Sequence, residues 1–347
     1  MIVHFLETFM SEVHNQQFRL AARPVGMPTA ANWQLVDEPL APLEDGQVRV
    51  RVLYLSLDPA MRGWMNEGKS YIRPVALGEV MRAGGVGVVV ESRSKLFAVG
   101  DHASGAFGVQ RFWTGPADGG NAPVKIDPAL APLPAWLNVL GMPGMTAWFG
   151  LTEIGQPRPG ETVVVSSAAG AVGMTVGQVA KQLGCRVVGI AGGAEKCRVV
   201  VEELGFDACI DYKEGRVPED LKRHCPQGVD VYFDNVGGEI LDAVLARINM
   251  KARIVICGAI SQYNNTAPVR GPANYLSLLV NRARMEGMVV FDFAPRYPEG
   301  VARLAGWLGQ GAIRSREHVV EGFEHFPEAL LMLFEGKNLG KLVLKVA

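Results

Sequence analysis

The rhythm of apolar and polar residues changes partway along this chain. Over residues 47–55 (QVRVRVLYL) polar and apolar side chains alternate, and 84–91 (GGVGVVVE) is an apolar run with glycine kinks. A period of two predicts half-buried antiparallel strands. Prolines punctuate the approach (Pro24, Pro28, Pro39, Pro42), Glu44-Asp45-Gly46 is a turn signal, and short strands continue to about Asp127. The first part of the chain therefore reads as β-rich, a partly open barrel. Residues 132–153 switch to helical spacing around a Gly-Met-Pro-Gly break. Beyond them, uninterrupted apolar runs alternate with helical segments. Strands are predicted over 163–165, 185–190, 230–234, 252–257 and 286–291, with another closing at Asp211. Helices are predicted over 174–183, from Gly238 to Asn249, and over 272–282. Apolar runs without alternation suit a parallel sheet buried on both faces, and six of them with intervening helices make a doubly wound α/β fold. Residues 298–335 read as interrupted helix, and 341–346 (KLVLKV) as a last strand able to return to the first domain.

Composition narrows the function classes. The 347 residues include 34 basic and 35 acidic ones. That balance leaves no electrostatic footprint for nucleic acid or an anionic membrane. No apolar run reaches the length of a membrane span. The start, MIVHFLETFM, has no basic segment and no cleavage-like site, so a secretory leader is not expected. The five cysteines (Cys185, Cys197, Cys209, Cys225, Cys257) are odd in number and form no C-x-x-C pair. Reduced thiols and a cytoplasmic location follow as expectations.

Residues 161–211 carry the clearest chemistry. Directly after the 163–165 run comes Ala168-Ala169-Gly170-Ala171-Val172-Gly173, a G-x-G-x-x-G turn with alanine in first place. Gly170 lets the backbone approach a pyrophosphate, and Gly173 lets the next helix pack close to the strand. An NAD site wants a carboxylate at the end of the second strand, to hold the ribose hydroxyls. Here that position is about Ala191, followed by Gly192-Gly193-Ala194 and then Glu195 and Lys196. Small residues leave room for a 2′-phosphate and Lys196 can neutralise it, so NADP is favoured over NAD.

A wider set of residues points to a family. Its markers are Leu53-Tyr54-Leu55-Ser56-Leu57-Asp58-Pro59 with Met61-Arg62, the 168–173 turn, and Phe233-Asp234-Asn235-Val236-Gly237-Gly238. Residues 257–263 with Asn264, and Asn338-Leu339-Gly340-Lys341, complete it. Essentially end to end, the chain resembles the zinc-independent medium-chain dehydrogenases/reductases, closest to the prostaglandin reductase, alkenal double-bond reductase and curcumin reductase branch. The resemblance implies a Rossmann NADP-binding domain (132–305), a GroES-like catalytic domain (1–131 with 306–347), an NADP(H) cofactor and a homodimer. By position it implies Gly170, Ala171, Val172 and Gly173 at the pyrophosphate, with Lys196 and Tyr212 on the 2′-phosphate. It also implies that Asn235, Cys257, Gly258, Ala259, Ile260, Ser261, Gln262 and Tyr263 line the nicotinamide half, with Met288, Val289, Val290 and Asn338. Two positions depart from the pattern. Ala60 stands where the family often has tyrosine, which bears on the substrate pocket, and Ser167 replaces an alanine before the glycine turn.

Zinc relatives use a Cys/His set from the N-terminal domain. Here no cysteine precedes Cys185 and the only histidines in that part are His4, His14 and His102, so no metal site of that kind is expected. Without a Lewis acid for an alkoxide, alcohol oxidation is disfavoured. Reduction of an activated C=C bond stays open, because conjugation carries the incoming charge to an oxygen. The expected reaction takes a hydride from NADPH to the β-carbon of an enone or enal, with a donor for the enolate oxygen and a proton for the α-carbon. Tyr263 is the candidate donor; the competing reading is a tyrosine packed under the cofactor with its hydroxyl on backbone. Family analogy puts Tyr54 at the substrate mouth as a second catalytic candidate, against a role on the strand surface or in the core. Tyr71 is a candidate loop aromatic over the substrate, and Arg62 and Arg73 are either contacts for acidic substrates or solvated. Cys257 is expected to pack rather than react. Quinone reduction and a non-catalytic NADPH-binding redox sensor are the competing functions.

Overall fold

The computed structural model describes residues 14–347. The opening MIVHFLETFM, with His4 and the expectation about a leader, lies outside the described residues.

Six strands form one parallel sheet in the order Ala208–Asp211, Arg186–Ala191, Thr162–Ser166, Val229–Asp234, Ile248–Ile256, Arg284–Gly287. Counted along the chain this is 3-2-1-4-5-6, and the order reverses between Thr162–Ser166 and Val229–Asp234. Ligands of such sheets sit outside the carboxyl ends at that reversal. Every residue of Thr162–Ser166 is buried, which is why its sequence shows no alternation.

The second sheet has seven strands. Glu317–Glu321, Lys341–Lys345, Gln47–Ser56, Gly85–Ser92, His102–Gly105 and Val124–Ile126 follow one another, and Phe112–Pro116 pairs with Gln47–Ser56. Gln47–Ser56 is its hub, with Lys341–Lys345 and Phe112–Pro116 on one side at different heights and Gly85–Ser92 on the other. Val48, Val50, Val52 and Leu55 are fully buried from this strand, in a core shared with Phe323, Phe326 and Leu342. The strand Lys341–Lys345 does return to the sheet of the first, β-rich half.

Four expectations are corrected. The predicted helix over 272–282 is helical only over Leu276–Val280. The sixth strand is Arg284–Gly287 rather than 286–291. It is an exposed edge strand, whereas the apolar residues that suggested a strand, Met288 and Val290, turn into the interior after it. Gly-Met-Pro-Gly is not a helix break but a helix start. Gly141 is the N-cap of Met142–Phe149, Pro143 sits in the first turn where its missing N–H costs nothing, and a Cβ at Gly144 would overlap the Val139 carbonyl. Within 298–335, Glu317–Glu321 is a strand between two helices. Its five residues take their place from pairing with Lys341–Lys345, a partner no local pattern reveals.

Candidate functional site

A cleft opens between the two sheets, with about 1140 Å³ of empty space, part of it continuous with solvent. Its floor is the glycine turn. After Thr162–Ser166 the chain reverses through Ser167, whose φ of 53° is left-handed, and the Gly170 N–H donates to the Ser167 carbonyl at 2.9 Å. A Cβ on Gly173 would overlap that carbonyl, and one on Gly170 would lie 2.8 Å from Ser167 Oγ. The helix Ala171–Gln182 begins here with no side chain capping it. Ala171, Val172 and Gly173 line the cleft, so free N–H groups and the positive end of the helix dipole face it. That is the cradle a pyrophosphate requires.

Lys196 and Tyr212 do not line the cleft; they stand beyond it, at the end of Arg186–Ala191. The Tyr212 ring lies over Gly192, where a Cβ would stand 2.7 Å from it. Lys196 enters from the first turn of Ala194–Glu202 and donates to the Gly336 carbonyl at 2.8 Å. Burial, then the charge of Lys213, lower the Lys196 pKa, and Glu195 opposes the shift. Glu195 is exposed. One acid was missed: Asp211 Oδ1 accepts from the Gly193 N–H at 2.7 Å and the Lys213 N–H at 3.0 Å. Those donors occupy one carboxylate oxygen and leave Lys196 unpaired with it.

Asp234 organises the far side of the floor. Its Oδ1 accepts from Tyr232 Oη (2.8 Å), Ser166 Oγ (3.1 Å) and the N–H groups of Val236 and Gly237 (both 2.9 Å). Burial nevertheless raises its pKa, against those donors. Asn235 is held by Ser166 at both its N–H and its Nδ2, each at 2.8 Å, and faces the cleft. The backbone of Cys257 and Gly258 donates to the Asp234 carbonyl, and that of Ile260 to the Asn235 carbonyl. Thus the segment carrying Tyr263 is stitched to the Asn235 turn. Ser261 and Gln262 belong to the stitching and do not line the cleft; Ser261 Oγ donates to the Val236 carbonyl at 2.6 Å. Ala259 is likewise off the cleft wall, but its N–H donates to Tyr263 Oη at 3.2 Å. The phenol thereby uses a lone pair and keeps its own proton available. Burial raises its pKa, only partly opposed by the Ala259 N–H. The Cys257 thiol is pushed up to about 12 by burial and by Asp234, so it stays protonated.

The walls are mostly apolar. Met288, Val289 and Val290 line one side with Phe291; Trp64 and Tyr71 face them from the β-rich half. Trp64 Nε1 donates to Tyr71 Oη at 3.2 Å, and the Tyr71 and Phe291 rings are 6.2 Å apart. Ala60 lines the same region. Asn338 reaches the cleft with its Nδ2 on the Gly340 carbonyl, and the Gly340 N–H donates to the Ala169 carbonyl beside the glycine turn. Two lining groups were missed as a pair. Lys341 Nζ donates to Asp58 Oδ1 and to the Leu57 carbonyl, both at 2.7 Å. Both residues stand in the sequence markers, but 283 positions separate them.

Tyr54 is not in the cleft. On an alternating strand it faces away from Leu55 and packs on Val86, Ile126, Leu137 and Val343. The two arginines are also placed elsewhere. Arg73 pairs with Glu79 at the surface, and Arg62 is buried under backbone carbonyls. Among the described residues no three His, Cys, Asp or Glu side chains gather as a metal site would require.

Known proteins share this architecture. Residues 16–122 match the family described as N-terminal domain of oxidoreductase, and 171–306 match that described as zinc-binding dehydrogenase. The chain is 44% identical to the NADPH-dependent curcumin reductase of Escherichia coli, covering 96% of this chain and 97% of that one. It is 40% identical to the NADP-dependent 2-alkenal reductase of Nicotiana tabacum, over 97% and 98% of the two chains. The crystal structure of CurA from Vibrio vulnificus in complex with NADPH superposes with a TM-score of 0.90 at 45% identity, over 96% and 99%. With its Rossmann sheet and GroES-like β-rich half, the chain belongs to the zinc-independent branch of the medium-chain dehydrogenases/reductases.

Proposed function

We propose that this protein is an NADPH-dependent oxidoreductase that reduces the C=C bond of α,β-unsaturated ketones and aldehydes. The observation that carries the reading is Tyr263: a protonated phenol at the cleft wall, held through its lone pair by the Ala259 N–H. The relatives named for curcumin and 2-alkenal reduction support it.

The residues present fit the cofactor. The uncapped N–H groups after Gly170 would hold its pyrophosphate, Lys196 and Tyr212 its 2′-phosphate, and Asn235, Met288, Val290 and Asn338 its nicotinamide half. Bound NADPH supplies the hydride for the β-carbon. Tyr263 donates a hydrogen bond to the carbonyl oxygen that gathers charge, where a fixed donor in a low-dielectric cleft counts for most. Trp64, Tyr71 and Phe291 clamp the conjugated plane and exclude water. Cys257 keeps its proton and packs.

The division into 1–131 with 306–347 and 132–305 is supported by the return of Lys341–Lys345 to the seven-stranded sheet of the β-rich half. A homodimer is supported by the edge strand Arg284–Gly287, which has no outer partner among the described residues, beside exposed Leu276, Leu279 and Val280. Pairing two such edges covers both. The five free thiols support a cytoplasmic location.

The test is NADPH oxidation against a panel of enals, enones and quinones. Turnover of enones and enals, lowered in kcat by Tyr263→Phe with NADPH affinity kept, is the expected result. Turnover of quinones alone, or NADPH binding with no turnover, overturns it.

A further inference from the structure

Arg62 is a buried cation that pairs with no anion among the described residues. Its residue is 3% exposed, on the short helix Ala60–Trp64. Among the described residues every acceptor it reaches is neutral: the Pro24 carbonyl (3.2 Å), the Gly26 carbonyl (3.0 and 3.1 Å), and the side-chain oxygens of Asn66 and Asn264. Burial lowers its pKa with no carboxylate opposing the shift. An arginine in such a place is costly, and a planar fork fixing several acceptors at once is what it supplies in return.

One of those bonds crosses the molecule. Arg62 Nε donates to Asn264 Oδ1 at 3.0 Å, between residues 202 positions apart. Asn264 directly follows Tyr263. The loops around the bond are also in contact, since a Cβ at Gly26 would lie 3.6 Å from the Thr266 methyl. Two positions after Arg62, the same helix delivers Trp64, which donates to Tyr71 in the aromatic wall. A single guanidinium thus ties the helix bearing that wall to the segment bearing the phenol.

We propose that Arg62 is a positioning residue for the reduction: its bond to Asn264 sets the spacing between the Trp64–Tyr71 wall and Tyr263, and so the pose of the enone between them. The inference rests on the reading of Tyr263 as the enolate donor.

The test uses the full chain loaded with NADPH and the variants Asn264→Ala and Asn264→Asp. Asn264→Ala removes the acceptor without disturbing Arg62's carbonyl partners. A misplaced donor costs rate rather than cofactor affinity, so kcat should fall roughly tenfold while NADPH binding and the unfolding midpoint hold. Asn264→Asp keeps the acceptor oxygen and should recover most of the loss. In a Tyr263→Phe background, Asn264→Ala should add little, because both act on one donor. Wild-type kcat in Asn264→Ala, no recovery in Asn264→Asp, or effects that multiply with Tyr263→Phe would each overturn the proposal. Should the wild-type protein reduce no enone, the functional reading fails by itself. Hydrogen exchange over 259–266 then tests the clasp: faster exchange in Asn264→Ala upholds it, and unchanged exchange overturns it.

Discussion

The substitution Lys341→Met should unfasten the β-rich half. Lys341 has a side chain 1% exposed and Asp58 one 10% exposed. The ammonium bonds Asp58 Oδ1 and the Leu57 carbonyl, while Ser56 Oγ donates to the other carboxylate oxygen. Methionine fills nearly the same volume as the lysine stem, so the packing of Lys341–Lys345 is retained. What changes is the charge. Asp58 is left buried with one hydroxyl donor, and breaking such a pair costs about 3–5 kcal/mol. The Leu57 carbonyl loses a partner as well. If the carboxylate is the reason, adding Asp58→Asn should recover about 2 kcal/mol, since a neutral amide still accepts from Ser56. The assay is guanidinium unfolding of wild type, both single variants and the double, followed by fluorescence and far-ultraviolet dichroism. Two probes are needed because a two-domain chain need not unfold in one step. A Lys341→Met protein within about 0.5 kcal/mol of wild type, or a double variant whose loss equals the sum of the singles, refutes the reasoning.

Three further outcomes are expected. Gly173→Ala forces a Cβ into the Ser167 carbonyl, backbone against backbone, and should fail to fold or unfold at much lower denaturant; Gly170→Ala meets a Ser167 hydroxyl able to rotate, and should fold but lose NADPH affinity in a fluorescence titration. Burial favours the neutral Tyr263 phenol, so its proton stays through the ordinary tyrosine pKa of about 10; kcat should be level from about pH 7 to 9.5, and an alkaline limb below about pH 9 that vanishes in Tyr263→Phe would contradict this. Leu279→Glu puts a charge on the exposed apolar face beside Arg284–Gly287 and should give monomers by light scattering, whereas an unchanged mass argues for another interface.

Much of the nucleotide-binding half was legible because its signals are local. A β-branched run, a glycine turn and helix formers within 161–183 specify strand, turn and helix without distant help. The missing acid at Ala191 was legible for the same reason. Where local patterns misled, exposure or pairing had overridden them. Met288 and Val290 look like strand interior, yet they serve the cleft, and the strand itself lies among Arg284, Met285 and Glu286. Tyr54 shows the limit of a family marker: the period of the strand turns it onto the face opposite Leu55. Trp64, Phe291 and the Lys341–Asp58 pair come together only by tertiary folding, so no spacing in the chain announces them.

The return of Lys341–Lys345 to Gln47–Ser56 has a consequence for biosynthesis. A nascent chain presents the hub strand early, yet its neighbour Lys341–Lys345 emerges only after every strand of the parallel sheet has been made. At elongation rates of about 5–20 residues per second, the upper stretch of that edge stays bare for many seconds while the parallel sheet assembles first. Losing residues 341–345 would therefore damage a segment made long before them.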